Sequence, residues 1–192
     1  RKIFLLIFFI SFFNRKFYKN GKWNVAITNN PNLRLSRWNY LEENDSRMQK
    51  LTNWFADPFI VKIDDLIFLL TERYITSDSK GEIWCNQIFN DGSNIKIGES
   101  YCLLKNDYHL SYPFTFERGF KSYMIPENGE NGCWLYQLLV KKDKDKVKLE
   151  ALKVKKLIDG IILDPTLIHI NGFDYIFASK GEKNYSDKVL RV

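Results

Sequence analysis

Histidine, cysteine and alanine are all scarce in this chain, and each shortage removes a class of protein. Two histidines, His109 and His169, and three cysteines, Cys85, Cys102 and Cys133, occur in 192 residues, with no CxxC pair and no ligand spacing. A structural zinc site needs four ligands at short intervals and a disulfide framework an even cysteine count, so no metal, cofactor or disulfide is expected. Four alanines stand against 15 Phe, 10 Tyr and 5 Trp. That balance disfavours a helical bundle, because aromatic and β-branched side chains suit a pleated surface. The apolar run Ile3–Phe13 (IFLLIFFISFF) is eleven residues long, short of the ~20 that cross a bilayer as a helix. A buried strand or helix is expected there, with a trimmed membrane anchor or a signal segment as the alternatives.

With 45% hydrophobic residues the chain can bury a core of one domain. The formal charge of +6 raises the question of nucleic acid, but the basic residues gather in Lys141–Lys156 (KKDKDKVKLEALKVKK). From Val147 onward that run alternates apolar and charged residues, the pattern of an edge strand with a wet face. No basic groove interleaved with aromatics accompanies it, so no nucleic-acid partner is expected.

An internal repeat organises the rest. ADPFIVKIDDLIFLLTER from Ala56, SYPFTFERGFKSYMIPEN from Ser111 and LDPTLIHINGFDYIFASK from Leu163 align without gaps, and their prolines, Pro58, Pro113 and Pro165, fall 55 and 52 residues apart. Each segment reads as a strand opened by the proline, a two-residue turn, and a second strand rich in aromatics. The turns are Asp64-Asp65, Gly119-Phe120 and Asn171-Gly172; Asn-Gly signals a type I′ hairpin and a leading Gly a type II′. Further strands are expected after Gly81 (GEIWCNQIF) and Gly132 (GCWLYQLLV), and over Ile95–Leu104 and Val147–Leu157. Four antiparallel strands every ~50 residues make a propeller blade. The fold class expected is all-β: residues 1–22 as an apolar N-terminal segment, then 23–192 as an incomplete β-propeller of about three blades, with strands from Trp23–Asn44 joining a closing blade. A smaller antiparallel sandwich is the alternative.

Two-residue turns fix the hairpin register. Counting outward sets Asp57 opposite Glu72, Tyr112 opposite Glu127 and Asp164 opposite Ser179. Two opposed carboxylates repel, and where partly desolvated one is pushed toward protonation, which makes an acid and a base from a like pair. An Asp before Pro also caps strands and turns, so each carboxylate has a structural reading beside the catalytic one. Trp54, Phe55, Tyr108 and Tyr112 precede the prolines and suit a sugar face or a core. His109, four residues before Pro113, is a candidate ligand or acid/base group, whereas His169 reads as core or channel lining.

WFADPF, YHLSYPF followed by YMIPE, and LDPTLI followed by NGFDYIF resemble the N-terminal propeller domain of plant glucosamine inositolphosphorylceramide transferases and related bacterial proteins, over about Trp23–Lys180. More distantly the pattern is similar to five-bladed propellers of arabinanase-like and invertase-like glycoside hydrolases. That likeness implies Asp57 as base or nucleophile and Asp164 as the orienting carboxylate; the acid of that family would lie beyond Val192. Glu127 in MIPE, a feature of the nearer family and not equated with that acid, is a further candidate catalytic carboxylate, and Glu72, His109, Tyr112 and Trp54 are candidate substrate contacts; in the nearer family the transferase activity resides in a separate domain. The resemblance implies a sugar or glycan partner and an attached transferase domain, and membrane association through the N-terminal segment stays open. The second entrance is Tyr-Pro and not Asp-Pro, so enzyme, sugar-binding module and protein-interaction scaffold all remain readings of these residues.

Overall fold

Strand follows strand through the computed structural model of the chain, which describes residues 4–8, 24–29, 38–41, 54–92, 94–144, 146–181 and 189–191. Among the described residues four antiparallel sheets form in chain order. The first holds β1 (Phe4–Phe8), β2 (Asn24–Thr28) and β3 (Asn39–Tyr40). The second is β4 (Trp54–Ile63), β5 (Leu66–Ile75), β6 (Lys80–Asn90) and β7 (Ile95–Leu104), each hydrogen-bonded to the next. β8 (Ser111–Arg118), β9 (Lys121–Glu127), β10 (Cys133–Asp143) and β11 (Lys146–Ile158) repeat that meander, and β12 (Ile161–Ile170), β13 (Phe173–Gly181) and β14 (Val189–Arg191) begin it again. The architecture is a partial propeller of four-stranded blades, open among the described residues. The expected strands at Ile95–Leu104 and after Gly81 and Gly132 are all present. Of the apolar run Ile3–Phe13, Phe4–Phe8 is β1, and the remainder, with Trp23 and 42–44, lies outside the described residues. No helix of the described chain is long and apolar enough to cross a membrane.

The three entrance hairpins turn where the repeat puts them: Ile63 pairs with Leu66, Arg118 with Lys121 and Ile170 with Phe173. Asn171-Gly172 has positive φ at both residues, as type I′ requires. Gly119-Phe120 does too, with φ of 56° and 61°, so it is type I′ and not the type II′ that a leading glycine suggests. Only Asp64 of its pair is positive, the type II′ pattern.

Two expectations about the prolines are overturned. Pro58 does not open its strand; β4 begins at Trp54 and runs through it. A proline inside a paired strand must sit where no ladder bond is asked of it, and the chain supplies a bulge. The register jumps between Ala56 and Phe59, between Ser111 and Phe114, and between Leu163 and Thr166. Each proline and the residue before it therefore face a single residue across the ladder. The extra residue moves every outer pairing by one: Glu72 lies opposite Ala56, Glu127 opposite Ser111 and Ser179 opposite Leu163.

Strand alternation makes each blade a two-faced layer. On β5, Phe68 and Leu70 join Val61, Ile83, Leu110, Met124, Tyr136 and Leu149 between the first and second blades. Leu69, between them in sequence, points the other way and packs with Val25, Ile27, Leu41, Phe55, Ile88 and Ile95 against the N-terminal sheet. Ile125, the neighbour of Met124, likewise turns to Cys133, Ile162 and Ala178 between the second and third blades. The basic run closes β10 and continues as β11, the outer strand of its sheet, and its described lysines are exposed.

Candidate functional site

The bulges make one corner of each blade alike. Asp57, Tyr112 and Asp164, the residues before the three prolines, have φ of 47°, 45° and 49°. That region is rarely populated by side-chain-bearing residues, above all by a bulky one such as tyrosine, and persists only where surroundings over-determine it. Here the surroundings are the neighbouring blades. The Tyr112 backbone N–H donates to Asp57 Oδ2 at 3.2 Å, and the Asp164 N–H donates to Glu127 Oε2 at 2.9 Å. The Tyr112 hydroxyl meets the Thr166 hydroxyl at 2.9 Å, and its ring packs edge-on against Phe59. The second and third entrance residues are thus each tied to an acidic side chain of the preceding blade.

Asp57, Glu72, Glu127 and Asp164 converge there closely enough to influence one another. Burial pushes Asp57 up from its ordinary value, opposed by the Tyr112 N–H and assisted by the Asp164 charge. Glu127 is raised mainly by burial, with the Asp164 N–H working against the shift and the Asp164 charge for it. Glu72 moves furthest: burial, then the charges of Asp57 and Glu127, push it up to about 8. Although the bulge sets Ala56 and not Asp57 opposite Glu72, the two carboxyl groups remain close enough to influence each other.

His109 completes the cluster from the segment before β8. Its Nδ1 accepts the Gly81 backbone N–H at 2.8 Å, and its Nε2 lies 3.4 Å from Glu72 Oε1. Burial lowers its pKa, with the Asp57 charge opposing. Gly81 is glycine for a steric reason, since a Cβ there would lie 2.3 Å from the Leu110 carbonyl oxygen and 2.6 Å from Glu72 Oε1. Gly81→Ala is expected to lower stability by about 1 to 3 kcal/mol, as overpacking does, by displacing the Leu110 N–H that donates to the Gly81 carbonyl. An unchanged denaturant midpoint would contradict this account of the glycine.

Trp54 stacks on Tyr74, its ladder partner, with centroids 4.7 Å apart, and Tyr74 lies 6.1 Å from the His109 ring. Tyr74 carries no signal in the sequence, because counting from the turn sets Ile75 opposite Trp54 and only the bulge brings Tyr74 there. Two other rings belong to packing: Phe55 is buried in the core beside the N-terminal sheet and Tyr108 packs against the core between blades. His169 is not core. It is exposed near the far end of its blade, with Nδ1 2.8 Å from Asp174 Oδ1, and Asp174 also accepts from Arg118 of the second blade at 2.7 Å. A separate cleft of about 400 Å³ lies between β3 and β7, lined by Trp38, Tyr40, Asn86 and Ile97 among others, and none of the four carboxylates borders it. Among the described residues no group of three or more His, Cys, Asp and Glu side chains is placed to hold a metal ion.

The family profile described as glucosamine inositolphosphorylceramide transferase 1, N-terminal, matches residues 19–190. The chain belongs to this family. Among relatives in this family, glucosamine inositolphosphorylceramide transferase 1 of Oryza sativa subsp. indica is 32% identical over 130 residues, 67% of this chain and 16% of the relative. The protein of that name from Arabidopsis thaliana is 28% identical over the same span. The chain therefore spans about one sixth of the length of these relatives of the glucosamine inositolphosphorylceramide transferase family. No solved structure matches it.

Proposed function

We propose that this family domain binds a sugar or glycan at the corner where the three bulges meet, as part of a glycan-transferring protein. The observation that carries the reading is the convergence of Asp57, Glu72, Glu127 and Asp164 from three successive blades, beside the Trp54–Tyr74–His109 row of rings. Sugar hydroxyls donate to carboxylates and sugar C–H faces stack on aromatic rings, so the two features suit one ligand class. Concave sites at which a few polar groups converge beside apolar rings are the usual form of small-ligand sites. The rice and Arabidopsis relatives are named as glucosamine inositolphosphorylceramide transferases, a name that contains an amino sugar, which supports the same direction.

If the corner is catalytic, Asp57 is the base or nucleophile, Asp164 orients, and a glycosidic bond lies between two carboxyl groups, one protonating the leaving oxygen. A non-catalytic sugar module is favoured by a specific observation: Asp57 and Glu127 each already accept a backbone N–H from the next blade. Titrating an oligosaccharide panel against the full chain and its Asp57→Asn variant separates the readings. Turnover lost with binding kept identifies catalysis, binding without turnover in both identifies the module, and no binding by any sugar overturns the carbohydrate reading.

A further inference from the structure

Glu72 is the most enclosed of the four carboxyl groups, with 4% of its surface exposed, and its Oε1 has no hydrogen-bond partner. An ionised carboxylate in that position would be costly, because burying a charge without a cation or a full set of donors loses hydration that nothing replaces. The one ion-pairing side chain within reach of Glu72 among the described residues is His109, at 3.4 Å. His109 is poorly placed to be that cation. Its Nδ1 accepts the Gly81 N–H at 2.8 Å, so the ring's single proton is on Nε2, and a second proton on Nδ1 would confront a donor with a donor. The Gly81 backbone closes the remaining side, since even a methyl there would lie 2.6 Å from Oε1.

The polar group left to Glu72 is Asp57, lodged in the bulge beside Glu72's ladder partner Ala56 and already accepting the Tyr112 N–H. Two neighbouring carboxyl groups that cannot both ionise share one proton. We propose that Glu72 is a positioning residue that acts through Asp57: as a neutral acid it donates to the Asp57 carboxylate, leaving Asp57 as the charged group presented at the corner. Ionisation of Glu72 sets two negative groups against each other and displaces Asp57. The mutual influence of the pair has the matching sign, Asp57 raising Glu72 and a proton shared from Glu72 lowering Asp57, while burial raises both. The groups that face Glu72 are Asp57 on β4, Glu127 on β9 and His109 before β8. The functional half of this inference rests on the sugar reading of the corner; the placement of the proton does not.

Two measurements on the full chain test the halves separately. In a carbon NMR titration with labelled glutamate carboxyls, one resonance is expected to titrate near pH 8 and to be missing from Glu72→Gln. If every glutamate carboxyl titrates in the ordinary acidic range, the proposal is wrong, and the wild-type spectrum alone decides this should the variant fail to fold. Any sugar that binds from the oligosaccharide panel should lose affinity about tenfold between pH 7 and pH 9, because one pH unit above its pKa roughly a tenth of an acid remains neutral. Glu72→Gln, permanently neutral and of the same shape, should bind that sugar with a flat profile over this range. An equal alkaline loss in both proteins overturns the positioning role. A resonance near pH 8 with no sugar bound at any pH upholds the proton placement and sinks the sugar reading.

Discussion

Phe68→Ala is expected to cost about 3 to 5 kcal/mol, the range for emptying a fully buried aromatic site. Phe68 has none of its surface exposed and packs between the first and second blades with Val61, Leu70, Ile83 and Met124. Its contacts come from four strands in two sheets, so the gap cannot close by moving one side chain. Tyr175 holds the same place in the third repeat, opposite Ile168 as Phe68 is opposite Val61, yet it is 43% exposed. Tyr175→Ala should therefore cost about 1 kcal/mol or less, as surface substitutions do. Urea denaturation of the two variants checks the pair. Equal losses would mean that the blades do not stack as the core implies.

The Phe68 and Tyr175 comparison also shows why part of the fold was legible in the sequence and part was not. Turn pairs and period-two alternation are local, and they placed the hairpins at Asp64-Asp65, Gly119-Phe120 and Asn171-Gly172 with the strands around them. Burial depends on which sheet lies alongside, and the repeat alone makes Phe68 and Tyr175 look alike. The bulges were missed for a different reason. Counting outward from a turn assumes one residue against one, and Pro58, Pro113 and Pro165 break that assumption. The signal was present: a proline with paired residues on both sides demands a bulge. The three prolines are one structural point repeated, and that equivalence is what sets Asp57, Tyr112 and Asp164 at matching corners. What the spacing could not carry was the link between blades. The Asp57 to Tyr112 N–H bond spans 55 residues and the Gly81 N–H to His109 bond 28, and no local pattern announces either.

The corner also leaves a mark on stability that needs no ligand. Between pH 5 and 8 the folded chain is expected to lose stability as pH rises, and Glu72 supplies the steepest part. Unfolded, its carboxyl titrates at the ordinary value of 4.5; folded, it holds its proton to about 8. Over that window the native state binds the extra proton, so unfolding free energy falls with pH by up to about 1.4 kcal/mol per unit. The full window amounts to an upper figure of about 4 to 5 kcal/mol, a large share of the 5 to 15 kcal/mol that holds a typical domain together. Asp57 and Glu127, also raised by burial, add slopes of the same sign, while His109, lowered by burial, opposes them only in the acidic part of the range. The scan should end near pH 8.5, because Cys85, pushed up to about 12 by burial, adds its own decline above its ordinary 9.0. Glu72→Gln removes the titrating group without removing the hydrogen-bond donor. Melting curves should then show the two proteins alike near pH 5 and the variant markedly more stable at pH 8.5. A wild-type melting temperature that holds constant from pH 6 to 8.5 would mean that Glu72 is already ionised in the native state, and that the buried corner is neutralised by some other group.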